Sequence, residues 1–437
     1  MTEDRSLELS GQALARLIDA AKERVLAHIE SLPRQPSADT EGGVALAQSL
    51  IEPLPKEGRP YEELLDLLFE RVIPKSFNTA GPGYLAYIPG GGLPHSAVAD
   101  LISDATNRYV GVFAAAPAVA QLEANVVQWF CEIVGYPKGA GGILTSGGSL
   151  SNFSALVTAR RQLLPENFLS GIIYASEQTH HSIQKAAMLA GFPASAVRAI
   201  PSDGSFRLRV EELERAVAAD RAAGKTPFAV VGNAGTTNTG AVDDLSSLAD
   251  LARKERLWFH VDGAYGGFFA LTERGRRVMA GMERADSMAL DPHKGLFLPY
   301  GTGALLVRDV GALRRAHEVM ADYLPEKQEG ASPADELTPE LSDFHLLSPE
   351  LSRDWRGLRV WLPIKMHGIE PFRRNLDEKL DLTEWATEEL KKIEGIEILA
   401  EPQLSIVAFR VARPGLDEKQ RNDLSRELMS RVNGRKR

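Results

Sequence analysis

The chain has 437 residues, enough for roughly three domains at about 150 residues each. Its 50 Lys and Arg residues against 59 Asp and Glu residues give a net charge of -9, which argues against broad contact with the phosphate backbone of DNA or RNA. The single cysteine, Cys131, excludes an intrachain disulfide and a multi-cysteine zinc site, and we expect no metal centre. The chain begins without a signal-peptide core and has no apolar run of about 18 residues, so we expect a soluble, cytoplasmic protein.

The first elements in the chain are two amphipathic helices. Apolar residues recur at intervals of three and four from Leu7 to Ile29, and again from Tyr61 to Val72, where Pro74 is expected to end the second helix. Helices of this length are marginal in water on their own. Their apolar faces must therefore be covered by the main body or by another subunit, and the second possibility suggests a dimer.

From Gly141 onward, short apolar runs alternate with helical patterns. Such alternation predicts an α/β domain, with a mostly parallel sheet and helices on both faces, because parallel neighbours need crossover connections. The predicted strands are Ile143 to Thr145, Ile172 to Tyr174, Val197 to Ile200, Phe228 to Val231, Leu257 to Val261, Ser287 to Leu290 and Ala304 to Val307.

The pattern changes past Val310. The segment from Pro325 to Glu350 has few large apolar residues and is predicted to be a mobile loop of the kind that often serves as a lid. A small C-terminal α+β unit follows it. Its predicted elements are helices Arg353 to His367 and Pro371 to Lys392, strands Ile396 to Leu399 and Leu404 to Val411, and a helix from Asp417 to Val432.

Polar segments follow several predicted strands, and the carboxyl ends of strands are where α/β sheets bind ligands. In TSGGSLSN, from Thr145 to Asn152, two glycines and a serine lie where a strand turns into a helix, so backbone N–H groups and the helix dipole favour an anion. An ordinary glycine-rich turn with Ser149 as N-cap explains the segment equally well. No GxxxxGK[ST] or GxGxxG motif occurs, which disfavours nucleoside triphosphates and dinucleotides.

Two charged residues also follow strands. Asp262 is expected at the tip of a buried strand, where a carboxylate needs a partner, either a cationic ligand nitrogen or local backbone N–H groups. Lys294 could form a Schiff base if held in a pocket, although a lone lysine is usually a solvated surface charge. An anion cradle, a carboxylate and a lysine together match the phosphate, ring nitrogen and aldehyde of pyridoxal 5'-phosphate (PLP).

The segments DPHKG, HVDGAYGG, TSGGSLSN and YASEQTHHS resemble the group II PLP-dependent decarboxylases, the family of aromatic-L-amino-acid, tyrosine, histidine and glutamate decarboxylases. The resemblance implies the aspartate aminotransferase-like fold, fold type I, and a homodimer with the active site at its interface. It divides the chain into an N-terminal dimerising arm (1–78), a large PLP domain (79–310), a lid and connection (311–352) and a small C-terminal domain (353–437). Family members usually continue past the last helix, so we expect a truncated small domain.

The resemblance also assigns roles in the site. Lys294 would hold PLP as an aldimine, Asp262 would keep its ring nitrogen protonated, and His180 would stack on the ring, whereas His181 is expected to be structural. Asp291 stands where the family often has Asn, and an Asp beside a phosphate needs a proton or a compensating donor. The expected cofactor-binding residues are Gly147, Gly148, Ser149, His180, Thr236, Asp262, Ala264, Asp291, His293 and Lys294.

The reaction implied is decarboxylation of an L-amino acid to its amine and CO2, with Tyr323 protonating the quinonoid intermediate. Alternatives are an oxygen-dependent aldehyde synthase, in which phenylalanine replaces that tyrosine, another PLP lyase, or a non-catalytic binding protein. Arg353 and Arg356 resemble a segment beside the active site, and surface ion pairing explains them equally well.

The resemblance also indicates a substrate pocket, formed by Tyr87, Ile88, Val112 and Phe113. The last two would come from the neighbouring subunit. The same four residues could instead be plain core. Because none of them is basic, we expect an aromatic or apolar substrate more than glutamate.

Overall fold

A computed structural model describes residues 7–88, 91–319 and 343–435. The chain divides into two compact units, the first comprising residues up to Gly91 together with those from Asp423 onward, and the second running from Gly92 to Asn422. The four-part division given above stays a prediction. No helix within the described ranges is long and apolar enough to cross a membrane.

The first unit contains the two predicted N-terminal helices and a short helix between them. They are α1 (Gly11–Ser31), α2 (Gly43–Ser49) and α3 (Tyr61–Asp66), the last continued by a π-helical stretch Leu67–Val72 and a 3-10 turn Ile73–Lys75. Ser10 caps α1 by accepting a hydrogen bond at Oγ from the Ala13 N–H at 3.2 Å. Helix α1 has no buried residue, and part of its apolar stripe, including Leu14, Ile18 and Val25, is exposed.

A seven-stranded sheet forms the centre of the second unit. Its strands are β1 (Gly141–Thr145), β2 (Gly171–Ser176), β3 (Val197–Ile200), β4 (Thr226–Asn233), β5 (Trp258–Gly263), β6 (Ser287–Leu290) and β7 (Gly303–Val307). They lie in the order β1-β7-β6-β5-β4-β2-β3, and β7 is antiparallel to both of its neighbours while the other pairs are parallel. The predicted mostly parallel sheet is confirmed, together with all seven of its strands.

Helices and a small hairpin complete the described chain. The helices are α4 (His95–Thr106), α5 (Pro117–Val134), α6 (Gly148–Leu163), α7 (Ser182–Leu189), α8 (Val210–Ala222), α9 (Leu245–Glu255), α10 (Glu273–Val278), α11 (Pro292–Gly295), α12 (Val310–His317), α13 (Gly357–His367), α14 (Glu370–Lys391) and α15 (Glu418–Asn433). Strands β8 (Ile396–Ile398) and β9 (Phe409–Val411) pair antiparallel. Helix α6 packs on the sheet with Leu156 in one apolar cluster and Ala155 in another, which fixes where its N-terminus points.

The predicted strand from Leu404 to Val411 is wrong in its first five residues, since only Phe409–Val411 pairs. Residues before it bond to loops of the large sheet instead, through one side chain and one backbone N–H group. Gln403 Oε1 accepts from the Val242 N–H at 2.9 Å, and the Ser405 N–H donates to Tyr265 Oη at 2.9 Å. These contacts hold the segment against the loops that follow β4 and β5.

The far end of the predicted loop is packed. Residues 320–342 lie outside the described chain, whereas Phe344–Leu346 form a buried 3-10 turn. Asp343 Oδ1 accepts from the Phe113 N–H at 2.5 Å, and His345 Nδ1 lies 2.9 Å from the Gly111 carbonyl oxygen. Val112 is buried and Phe113 packs against the core beside Phe344, so this stretch of chain forms part of the interior of the second unit.

Arg353 makes a buried ion pair, so surface ion pairing is wrong for this residue. Its Nη1 lies 2.5 Å from Glu123 Oε1, and neither side chain is exposed. Arg353 Nη2 also donates to the Leu144 carbonyl at 3.3 Å, and Glu123 Oε2 accepts from the Gly357 N–H at 3.0 Å. The pair therefore ties α5, β1 and the start of α13 together. Arg356 pairs with the partly exposed Glu350, its Nη1 and Nη2 both within 2.8 Å of that carboxylate.

Removing one partner of this pair is expected to destabilise the fold strongly. Arg353→Met leaves the Glu123 carboxylate buried without its cation, which should lower the free energy of unfolding by about 3–5 kcal/mol. Urea unfolding measures the loss, and the double variant Glu123→Leu with Arg353→Met should recover most of it. Arg277→Met removes an exposed pair with Glu273 and should change stability little. A wild-type midpoint for Arg353→Met would contradict this account.

Candidate active site

A cavity of about 270 Å³ opens at the carboxyl ends of β4, β5 and β6 and the N-terminus of α6. It is lined by residues of the second unit alone. All ten residues that the sequence assigns to the cofactor line it: Gly147, Gly148, Ser149, His180, Thr236, Asp262, Ala264, Asp291, His293 and Lys294. Five segments that are far apart in sequence therefore meet at one place, as the strand-end argument requires.

The glycine-rich turn forms one wall of the cavity. Gly147 precedes α6 with φ of 155°, a conformation that side chains rarely allow, and no side chain caps the helix. Ser149 lies inside the helix, so the explanation that made it the N-cap is wrong. The first N–H groups of a 16-residue helix and its dipole attract an anion at this position.

Asp262 is the last residue of β5 that pairs with β4, one position before the end of the strand, and it is 8% exposed. Its Oδ1 accepts from the Ala264 N–H at 3.2 Å and its Oδ2 from Asn152 Nδ2 at 3.0 Å. Local backbone bonding, one of the two explanations for this residue, therefore supplies only part of its partners. Hydrogen bonds to the charged form favour that form, and a carboxylate has acceptor capacity left for a cation in the cavity.

Lys294 lies in the four-residue helix α11, with its side chain 25% exposed. Its Nζ is 3.0 Å from Asp291 Oδ2, and His293 Nε2 is 3.6 Å from the same oxygen. His293 Nδ1 lies 2.6 Å from the Thr302 carbonyl, which makes Nδ1 the protonated nitrogen. Asp291 thus has a compensating cation beside it, while its Oδ1 has no hydrogen-bond partner in the described chain.

The remaining predicted residues close the cavity around these groups. His180 Nδ1 accepts from the Ser182 N–H at 3.3 Å, and burial, reinforced by His181, lowers the pKa of His180, so its imidazole is neutral at pH 7. His181 is exposed, with its ring centroid 4.1 Å from that of His180. Thr236 is buried, and its Oγ1 lies 2.7 Å from Thr239 Oγ1.

The cavity is also lined by residues that the sequence argument did not select, among them Asn233, Asn152 and Tyr265. Asn233 pairs in register with Asp262, and its Nδ2 donates to Thr179 Oγ1 at 3.0 Å beside His180. Asn152 stands three positions after Ser149 on α6, so helical spacing could have identified it. Tyr265 is held by Ser405, 140 positions away, and nothing local in the sequence signals that contact.

Of the other five predicted site residues, four are described, and none of those four is among the residues that line the cavity. Tyr323 falls outside the described residues. Tyr87 and Ile88 belong to the first unit, with φ of 60° and 56°, which is strained backbone for a β-branched residue such as Ile88. Val112 and Phe113 are packed in the second unit as described above. The assignment of these residues to a substrate pocket and to proton transfer stays a prediction.

The donor set fits PLP. The glycine turn at the start of α6 suits a phosphate, and the Asp262 carboxylate suits a protonated ring nitrogen. The amine of Lys294 suits the aldehyde, and Asp291 Oδ1 is a buried acceptor still without a donor. Residues that could hold each of the three parts of the cofactor therefore face one cavity.

His260 lies behind the cavity, fully buried on β5. Its Nε2 is 2.9 Å from Asn152 Oδ1 and its Nδ1 2.8 Å from Ser287 Oγ. Burial lowers the pKa of His260 from 6.5 to about 4, although the charge of Asp262 opposes the shift. The imidazole is therefore neutral at pH 7.

This depressed pKa predicts a pH dependence of stability. In the unfolded chain His260 takes up a proton below about pH 6.5, whereas in the folded chain it does so only below about pH 4. The free energy of unfolding therefore falls by roughly 3 kcal/mol as the pH falls through that window. His260→Gln cannot titrate and should lose less stability between pH 6.5 and 4.5, as measured by urea unfolding. His181→Gln, at the exposed neighbouring site, is the control and should follow the wild type. Equal slopes for wild type and His260→Gln would refute the assignment.

Comparison with known proteins supports the same chemistry. The family model described as "Pyridoxal-dependent decarboxylase conserved domain" matches residues 47–412. The aromatic-L-amino-acid decarboxylase of Bacillus atrophaeus is 33% identical over 431 residues, covering 98% of this chain and 88% of the relative. The cysteine sulfinic acid decarboxylase of Mus musculus is 32% identical over 392 residues, covering 88% of this chain and 78% of the relative.

A solved structure gives the same result. The crystal structure of Oryza sativa TDC with PLP and tryptamine matches with a TM-score of 0.91 at 25% identity, covering 99% of this chain and 91% of that chain. The predicted fold type, cofactor and enzyme class are thereby confirmed. The chain belongs to the family of PLP-dependent amino-acid decarboxylases.

Proposed function

We propose that this enzyme decarboxylates an L-amino acid with an aromatic or apolar side chain, releasing the amine and CO2. The observation that carries the proposal is the convergence of Lys294, Asp262 and the Gly147–Ser149 turn on one cavity in a chain of this family. PLP, when bound, links through its aldehyde to amines and withdraws the electrons left by a departing carboxylate.

The residues of the chain divide the remaining work. Gly147, Gly148 and Ser149 would hold the phosphate at the N-terminus of α6, and Lys294 Nζ would bind the aldehyde until substrate arrives. Asp262 would keep a proton on the ring nitrogen, which makes the ring a stronger electron sink. Neutral His180 would lie against the ring face and orient the substrate, because the bond perpendicular to the ring is the one that breaks.

A proton must return to the substrate Cα after CO2 leaves. We assign this step to the hydroxyl of Tyr323, on the sequence resemblance alone. Its presence favours decarboxylation over the oxygen-dependent aldehyde synthesis that remains the alternative.

The choice of substrate rests on weaker support. Tyr87, Ile88, Val112 and Phe113 offer no basic group for an acidic side chain, and a relative 33% identical is named for aromatic substrates. A relative 32% identical is named for cysteine sulfinic acid, so acidic substrates belong in the same assay. Strained backbone at Tyr87 and Ile88 supports a functional role, since such strain clusters at binding sites.

We also propose a homodimer. Leu14, Ile18 and Val25 of α1 are between 37% and 46% exposed in the single chain. An apolar helix face of this kind marks an interaction surface, and a second copy of the chain is the occupant that the sequence resemblance indicates.

Gly303 offers a test of the cofactor cradle. A Cβ at this position would lie 2.5 Å from Gly147 Cα, and this clash can be relieved only if the backbone moves. Gly303→Ala should therefore displace the glycine turn and weaken PLP binding by about tenfold or more, about 1.4 kcal/mol. Absorbance titration of the apoenzyme with PLP measures the change. Gly204→Ala, where a Cβ meets open space, is the control, and equal affinities for the two variants would argue against the cradle.

The reaction itself is tested by product analysis with a panel of aromatic, apolar and acidic amino acids. The wild type should release CO2 and amine in equal amounts, and Tyr323→Phe should form amine about 100-fold more slowly, as loss of a general acid predicts. Lys294→Ala should lose both the absorbance band of bound PLP and all product. Aldehyde, ammonia and peroxide from the wild type would establish the aldehyde synthase instead, and undiminished amine from Tyr323→Phe would exclude this tyrosine as proton donor.

A further inference from the structure

A chain of buried polar side chains runs from the cavity into the sheet. Asp262 Oδ2 contacts Asn152 Nδ2 at 3.0 Å, and Asn152 Oδ1 contacts His260 Nε2 at 2.9 Å. His260 Nδ1 contacts Ser287 Oγ at 2.8 Å, and Ser287 Oγ contacts Trp258 Nε1 at 2.7 Å. None of the five residues is more than 8% exposed.

The direction of every bond in this chain is determined. The Trp258 indole can only donate to Ser287 Oγ, and the Asp262 carboxylate can only accept, so it takes a hydrogen from the Asn152 NH2 group. Asn152 Oδ1 then accepts from His260 Nε2, and because His260 is neutral its Nδ1 accepts from the Ser287 hydroxyl. The Asn152 amide must therefore turn its NH2 group toward Asp262, and toward Ser182 Oγ at 3.0 Å.

This orientation has a consequence for Asp262. If the amide turned over, its oxygen would face the carboxylate, and the His260 N–H would face the NH2 group. Both contacts would be repulsive, because the first sets two oxygen atoms against each other and the second sets two N–H groups against each other. The amide is thus held as a donor, and together with the Ala264 N–H it gives the Asp262 carboxylate two hydrogen-bond donors.

We propose that Asn152 is a positioning residue, held in one orientation by His260, Ser287 and Trp258, that donates a hydrogen bond to the Asp262 carboxylate and thereby keeps the PLP ring nitrogen protonated. The inference rests on the role of Asp262 in the proposed function. It adds a specific prediction, namely that proton affinity at the cofactor nitrogen is set by residues that never touch the reacting atoms.

The experiment measures that nitrogen directly. Holoenzyme is loaded with PLP carrying ¹⁵N in the ring, and the nitrogen NMR shift is followed against pH. In Asn152→Leu, a variant of similar size without donors, the midpoint of ring-nitrogen deprotonation should fall by about one pH unit or more, a tenfold loss of proton affinity. A folded, PLP-loaded Asn152→Leu with the wild-type midpoint would overturn the proposal.

A matched control lies on the same helix. Thr158 is fully buried on α6 and its Oγ1 bonds only to the Ser154 carbonyl among the contacts described, at 2.7 Å. Thr158→Val should therefore leave the midpoint unchanged. If Thr158→Val shifts the midpoint as much as Asn152→Leu does, the effect comes from general disturbance of α6, and the specific role of Asn152 is overturned.

Two variants of His260 test the chain when Asn152→Leu does not fold. His260→Phe removes the N–H that orients the amide and should lower the midpoint, whereas His260→Gln can supply a donor and should restore at least part of it. A purely structural role predicts no such difference in the nitrogen shift. Equal midpoints for the wild type, His260→Phe and His260→Gln would overturn the proposal.

The same samples separate this inference from the proposed function. If the wild type binds PLP, and the midpoint responds to Asn152 and His260 as described but no amino acid releases CO2, the positioning role stands and the proposed reaction fails. If CO2 is released and the midpoint does not respond, the reaction stands and the positioning role fails.

Discussion

A carboxylate withdrawn from water is stable only when other groups replace the water, and Asp262 meets this requirement with donors from two directions. The Ala264 N–H comes from the loop just after β5, and Asn152 comes from α6, which also supplies the glycine turn. In the proposed site, one helix would therefore serve the phosphate end with its backbone and the ring-nitrogen end with a side chain. The apolar contacts of α6 fix its position on the sheet, and this position determines the geometry of both ends of the site.

Sequence patterns predicted the strands well because most of them are buried and form short, continuous apolar runs between polar turns. Ser287–Leu290 and Val197–Ile200 were predicted to the residue. The segment before Phe409 failed for a physical reason, since its backbone bonds to loops of the large sheet and an apolar run does not reveal that choice. Helices α4 and α5 were not predicted at all, although α5 carries Glu123.

The site residues divide in the same way, into those that local sequence identifies and those whose partners are far away in the chain. Residues at strand ends were identified because topology alone brings them to one edge. Arg353 was ambiguous because its partner Glu123 is 230 positions away, and no local pattern distinguishes a buried arginine from a surface one. Tyr265 and Asn233 depend on contacts across the fold in the same way. The residues proposed for chemistry that the structure describes all lie in the second unit, whereas two of those proposed for substrate choice lie in the first.

The ion pair between Glu123 and Arg353 also bears on how the sequence can change. Gly357 has no room for a side chain, because a Cβ there would lie 2.6 Å from Glu123 Cβ, and its N–H bonds to the same carboxylate. Replacing Glu123 or Arg353 alone leaves a buried charge unpaired, and replacing Gly357 alone creates a clash with Glu123. Among homologues, the three positions should therefore be inherited as a set and should change only together.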